Sequence, residues 1–439
     1  MPCRQFTVRT LDDITDFTAW LAGRSASADQ SIETKVRDIL SEVRQKGDAA
    51  LVDYCRRFDC PGFDPDHIRV DPVRMAEAAQ QVPAGDMEII ARAAENIRAF
   101  HQRQTQNSWW SLEDDGSIMG QIVRPVDRAG LYVPGGAGGD TPLVSSLLMN
   151  AVPAQVAGVE GIAVTTPPLR DGGVNPYILA TAHLLGIEEV YALGSAWAVA
   201  ALAYGTETIP RVDVVTGPGN IFVTTAKRLL IGTIGIDMLA GPSEIAILAD
   251  DSADPAHLAA DMLSQAEHDP LAASVAVTDS PELAEQLMPE LLRQRDALPR
   301  ADIARQALDD WGAVVLVDDL EQGCRVVNAM APEHLEIAVR DPFAWLGLIR
   351  HAGAIFLGHD TPEPVGDYFA GPNHILPTMG TPRFDQALSV ETFLKKSSLI
   401  RTPREYLERF GEDIARLARL EGLEAHARAV EIRSKDGKQ

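Results

Sequence analysis

VEGIAVTTPPLRDGGVNPYILATAHLLGIEEVYALGSAWAVAALAYGTETIPRVDVVTGPGN, residues 159–220, sets the fold class. Residues 159–166 form a short apolar run that stops at Pro167 and Pro168, as a buried strand does. Alternation follows: 176–185 reads as a helix, 189–193 as a strand, 198–204 as a helix and 212–216 as a strand. Gly217-Pro218-Gly219-Asn220 then turns into a helix beginning near Ile221. Short strands rich in Val and Ile suit a sheet covered by helices, so the segment predicts repeated β-α units in an α/β fold.

The same rhythm resumes downstream. Strands are expected at 245–249, 274–278, 314–317, 334–339 and 352–357, with helices at 256–267 and from Glu282 onward. This predicts a second doubly wound sheet. Upstream, 29–61 and 71–109 carry apolar positions at three- and four-residue spacing and read as helices, broken at Gly47. Residues 111–123 suggest a brief β excursion, and 403–433 a charged helical tail.

A chain of 439 residues exceeds the usual size of one core, so two or more domains are expected. Its 46% apolar content excludes general disorder. The formal charge of −24 argues against a nucleic-acid partner, because backbone binding needs a basic surface. An anionic cofactor remains compatible, since backbone N–H groups at a helix start make a local anion site. The four cysteines, Cys3, Cys55, Cys60 and Cys324, form no disulfide framework. No signal segment or membrane-length apolar stretch is evident, which predicts a cytoplasmic protein without a membrane partner.

Several polar clusters could carry chemistry. Gln265 and His268 lie three apart in LSQAEHDP, a spacing that shares one helix face and could offer two metal ligands. Taken alone, a polar helix end explains them more simply. In Pro332-Glu333-His334 a carboxylate and an imidazole could act as acid and base. Adjacent strand residues point oppositely, so both could serve one site only at a strand start, a boundary that Pro332 favours. Asp367 could supply a hard ligand, and Asn373 or His374 could orient a substrate, although the surrounding Gly and Pro also predict a plain loop. Glu421 and His426 sit in the charged tail. The glycines of RAGLYVPGGAGG, residues 128–139, suggest a tight backbone approach or a mobile loop, and no G-x-G-x-x-G dinucleotide fingerprint occurs there or at GPGN.

Together these segments resemble the histidinol dehydrogenase family. RAGLYVPGG, AALAYGTETIP, GPGN, DMLAGPSE, LSQAEHDP, NAMAPEHLEI, GDYFAGPNHILPT and EGLEAHARAV occur in the family's order between Arg128 and Val430. The resemblance implies two incomplete Rossmann-like domains with smaller terminal helical segments, in an intertwined homodimer. It suggests an N-terminal arm at 1–28, a discontinuous first domain at 29–128 and 244–380, an NAD-side domain at 129–243 and dimerisation segments at 381–439. It further implies one zinc ion per subunit, held by Gln265, His268 and Asp367 and by His426 of the other subunit. Glu333 and His334 would be the acid/base pair. Ser243, His334 and Glu421, together with the four metal ligands, would meet the substrate, and Tyr132, Trp197 and Asn220 the NAD. The implied reaction is oxidation of L-histidinol through L-histidinal to L-histidine, reducing two NAD, the last step of histidine biosynthesis. Trp197 stands where the family usually has Gln, and the loop at 135–146 is longer than usual, so cofactor orientation or substrate scope could differ. A related dehydrogenase for another polar alcohol and a catalytically silent metabolite-binding protein remain alternatives.

Overall fold

The computed structural model describes residues 3–25, 30–136 and 140–435. Parts of the expected arm at 1–28, and Ala137, Gly138 and Gly139 of the glycine stretch, lie outside the described residues. Met1–Gln104 with Asp127–Phe393 form one compact unit, and Thr105–Val126 with Leu394–Gln439 form a second.

The first unit contains two wholly parallel sheets with helices packed against them. The larger has the strand order Arg4–Thr7, Gly312–Leu316, Ala273–Thr278, Glu244–Ala249, His334–Ala338 and Ala354–Leu357. Period-two alternation divides its side chains between two cores. Ile245, Ile247 and Ala276 enter a core with the helices Pro255–Ala266, Pro281–Arg295 and Ala301–Trp311. Ala246, Leu248, Leu335 and Ile337 enter the opposite core, with Leu11–Ala22 and Leu320–Met330. Burial on both faces is why the inner strands Glu244–Ala249, Ala273–Thr278 and Gly312–Leu316 are mostly apolar, and each fully buried Ile or Leu contributes about 1.5–3 kcal/mol.

The second sheet has the order Glu189–Ala192, Gly161–Thr166, Arg128–Tyr132, Val214–Thr216 and Gly235–Ile236. Its central strand is Arg128–Tyr132, so of the two readings of RAGLY the tight backbone approach holds and the loop does not. Gly130 lies within this strand because a Cβ there would meet Leu202 Cδ1 at 2.9 Å and Val212 Cγ2 at 3.1 Å. The glycine marks close packing beneath a helix rather than a turn. The helices Gln30–Lys46, Asp48–Phe58, Pro72–Gln81 and Ala84–His101 pack on helices of this same sheet. The helical part of 29–128 thus packs on helices that belong to 129–243. Gly47, at φ +54°, separates the first two of these helices, as its composition predicts.

In the second unit, Trp109–Leu112 and Leu394–Arg401 flank Ile118–Pro125 in an antiparallel sheet. The helices Arg404–Leu420 and Glu424–Lys435 pack on one another. Among the described residues, no helix is long and apolar enough to cross a membrane.

Candidate active site

The site gathers at the edge of the larger sheet where its strands begin. Glu333 immediately precedes the strand that His334 opens. Regular alternation has not yet begun at Glu333, so the two side chains approach one another, with His334 Nδ1 3.7 Å from Glu333 Oε2. One neighbouring residue holds both. Glu244 accepts a hydrogen bond from His334 Nδ1 on its carbonyl oxygen at 3.0 Å, and donates its own N–H to Glu333 Oε2 at 2.9 Å. A carbonyl can only accept, so Nδ1 carries a proton and the lone pair of a neutral ring lies on Nε2.

That Nε2 faces two more carboxylates, 3.7 Å from Glu363 Oε1 and 3.8 Å from Asp367 Oδ1. Both come from the short helix Glu363–Tyr368, where a spacing of four residues places them on one side. Glu363 is fixed from below, its backbone N–H donating to Glu336 Oε1 at 2.7 Å. Glu336 lies two residues along the strand from His334 and hence on the same sheet face. His334, Glu363 and Asp367 each bring a ligand atom within 4.8 Å of the others. Glu363 was missed in the sequence reading; its spacing of four from Asp367 was the available signal.

Helix Pro255–Ala266, capped by Asp254, delivers Gln265 at its last turn. His268 lies just beyond the helix end, exposed, with Nδ1 2.9 Å from the Ser264 carbonyl. Ser264 Oγ donates to Glu363 Oε2 at 3.3 Å, which ties this helix end to the carboxylates. Gln265 is 1% exposed and its Oε1 has no hydrogen-bond partner among the described residues. The buried atoms His334 Nε2 and Glu363 Oε1 also lack one. Polar atoms buried without partners are costly, and here several acceptors converge. A cation beside Glu363 and Asp367 would offset their charge, and their carboxylate oxygens, with the unpartnered Gln265 amide oxygen, are donors of the kind zinc accepts.

The electrostatics agree. Burial raises Glu333 to about 7 against the pull of His334. Burial also raises Glu363 to about 8, with Asp367 adding to the effect. Burial opposes charge on His334, but Glu333, Asp367 and Glu363 together outweigh it and bring the ring to about 10. Burial would likewise raise Asp367, yet His334 and His374 hold it at about 2. His374 is pushed down by burial; its Nδ1 lies 3.0 Å from the Asp367 carbonyl. Three carboxylates around one imidazole leave an excess of negative charge that a metal ion would offset.

The other expected residues divide. Ser243 directly precedes the strand Glu244–Ala249, and its carbonyl accepts from Ala273 N–H at 3.0 Å. Asn373 is a tie in the fold: it donates to the Met149 carbonyl at 2.7 Å and accepts from Ile375 N–H. Glu421 and His426 belong to the second unit, at the end of Arg404–Leu420 and in the first turn of Glu424–Lys435, and both are exposed. At the smaller sheet, the buried Tyr132 ends the central strand and its hydroxyl accepts from Ser195 N–H at 3.1 Å. Asn220 caps Ile221–Leu230, accepting from Phe222 N–H at 3.0 Å. Trp197 is buried and stacked 5.4 Å from Tyr54 and 5.8 Å from Phe58. Its aromatic neighbours come from the helix Asp48–Phe58, a pairing that local sequence could not reveal.

Comparison with known proteins places this geometry. The family model described as histidinol dehydrogenase matches residues 22–434. The histidinol dehydrogenase of Oleidesulfovibrio alaskensis is 60% identical over 433 residues, covering 99% of this chain and 100% of the relative. That of Nitratidesulfovibrio vulgaris is 59% identical, with 99% of each chain covered. The crystal structure of histidinol dehydrogenase from Elizabethkingia anophelis superposes with a TM-score of 0.92 at 34% identity, covering 100% of this chain and 99% of that one. The chain belongs to the histidinol dehydrogenase family.

Proposed function

We propose that this protein oxidises L-histidinol through L-histidinal to L-histidine, reducing two NAD per substrate. The observation that carries the reading is the His334 ring, pinned through Nδ1 to Glu244 while Nε2 faces the buried cluster of Glu363 and Asp367. Membership in the family supplies the reaction that this acid/base geometry can perform.

Gln265, His268 and Asp367 would hold zinc, with the partner subunit's His426 as fourth ligand. Zinc bound there supplies a fixed positive charge that orients the nitrogen-bearing end of the substrate. His334, neutral once its surrounding carboxylates are offset, takes the alcohol proton at Nε2; NAD, when bound, would accept the hydride. Glu333, poised near 7, takes a proton from the water that adds to the aldehyde. Ser243 and the partner subunit's Glu421 would contact the substrate, which must stay bound between the two oxidations.

For NAD, the smaller sheet is favoured by its topology and charge. Its chain runs outward from Arg128–Tyr132 in one direction and then returns on the other side at Val214–Thr216. Ligands of parallel sheets bind beyond the carboxyl ends of the strands at such a reversal, here at Tyr132 and at Gly217 to Asn220. The corresponding edge of the larger sheet carries Asp250, Asp251, Asp279 and Asp319; burial raises Asp279, and the other three raise it further. That edge would repel a pyrophosphate. Trp197 would bear on the cofactor through the aromatic stack in which it sits.

A homodimer with shared sites is supported by the second unit, whose Trp109, Trp110, Leu112 and Ile400 are all more than half exposed. Apolar surface of this kind marks an interface. The reading is tested by incubating zinc-loaded protein with histidinol and NAD. Two NADH and one histidine per histidinol are expected; one NADH per substrate, or no turnover by folded, zinc-bound protein, would overturn it.

A further inference from the structure

We propose that Arg24 is a positioning residue for the acid/base pair, acting across the sheet through Glu244. Glu244 is the one residue whose main chain holds both Glu333 and His334. Its side chain points the other way. Alternation along Glu244–Ala249 places it with Ala246 and Leu248, on the face covered by Leu11–Ala22 and opposite the His334 ring. There its carboxylate pairs with the Arg24 guanidinium, the two side chains being 1% and 2% exposed.

Arg24 is itself fixed at the end of the first helix. Its Nε donates to the Leu21 carbonyl at 3.3 Å and its Nη1 to the Leu271 carbonyl at 3.4 Å. Packing alone does not hold the pair. A cavity of about 470 Å³ adjoins it, lined by Thr18, Ala22, Met330 and Met379 as well as by the two charged side chains. Glu244 Oε2 has no hydrogen-bond partner among the described residues. The ion pair, together with the pairing of Glu244 with Ala273 in the sheet, therefore sets where the Glu244 peptide stands, and that peptide sets the height and tilt of His334 and Glu333. Arg24 and the Glu244 side chain themselves belong neither to the candidate metal cluster nor to the proposed acid/base pair.

The kinetic arm rests on the proposed histidinol oxidation, which the wild-type stoichiometry tests separately; a structural arm does not depend on it. Removing Arg24 alone strands a buried carboxylate and endangers folding, so the informative variant is the double R24M/E244M. Replacing both charges with apolar side chains of similar length is expected to leave stability near wild type. In zinc-loaded R24M/E244M we expect kcat to fall about 10- to 100-fold while KM for histidinol and NAD stays within about threefold, because geometry and not binding is lost. R24K, which retains the charge, is expected to keep more activity than R24M/E244M. A crystal structure of the double variant should show His334 Nδ1 beyond 3.5 Å, the limit of a hydrogen bond, from the residue 244 carbonyl. Wild-type kcat in the double variant, or both main-chain contacts retained in its crystal structure, would overturn the proposal.

Discussion

Glu333→Gln separates what the proposed acid/base residue contributes to chemistry from what its burial costs the fold. Glutamine keeps the shape and can still accept the Glu244 N–H, so the local geometry survives. The carboxyl titrates at about 7 in the fold instead of 4.5, because burial disfavours its charge. An acid raised in this way leaves stability intact below pH 4.5, erodes it as the pH climbs from 4.5 through 7, and holds the loss above. The gap corresponds to about 3 kcal/mol at pH 8 to 9, which the amide does not incur. Metal-free E333Q should therefore melt above metal-free wild type at pH 9 and close to it at pH 4.5. Activity should move the opposite way: loss of a general base lowers turnover of histidinal about 10²- to 10⁴-fold. The assay pairs thermal melts across pH, run with chelator, with NADH production from histidinal at pH 8. Equal melting temperatures at pH 9, or undiminished oxidation of histidinal, would refute the reasoning.

His334→Ala should impair oxidation of histidinol by at least about 10²-fold while leaving assembly and zinc content close to wild type, as read by sedimentation and metal analysis. Chelation should abolish turnover and zinc restore it. If the ligands come from two chains, mixing a His426-defective subunit with a Gln265-defective one should recover activity that neither homodimer has. Lys227→Met should destabilise the fold by about 3–5 kcal/mol, since it leaves Asp237 buried without its charge partner, and a denaturant titration would show it. Gly217→Ala should weaken NAD binding, because Gly217 sits at φ +115° and a Cβ there would strike the Tyr132 carbonyl; an unchanged KM for NAD would remove this turn from the cofactor edge.

The sequence by itself determined the class of fold and most of the chemistry. Runs such as 245–249 and 314–317 are apolar throughout because both sheet faces are buried, and that pattern is visible without coordinates. The Pro332 boundary also foretold that Glu333 and His334 could serve one site. Tertiary structure alone decided the rest. RAGLY proved to be the central strand of a sheet, because Gly130 answers to Leu202 and Val212, more than 70 positions away. Glu363 joined the cluster only when a short helix folded over the strand that begins at His334. Glu244, unremarked in its segment, became the residue that holds both acid/base side chains, and Arg24 its counterion some 220 positions earlier. Local spacing reports which face a side chain takes along one element. Which other element meets that face is set by the packing of the whole chain, and charge partners, orphaned acceptors and perturbed carboxyls arise only there.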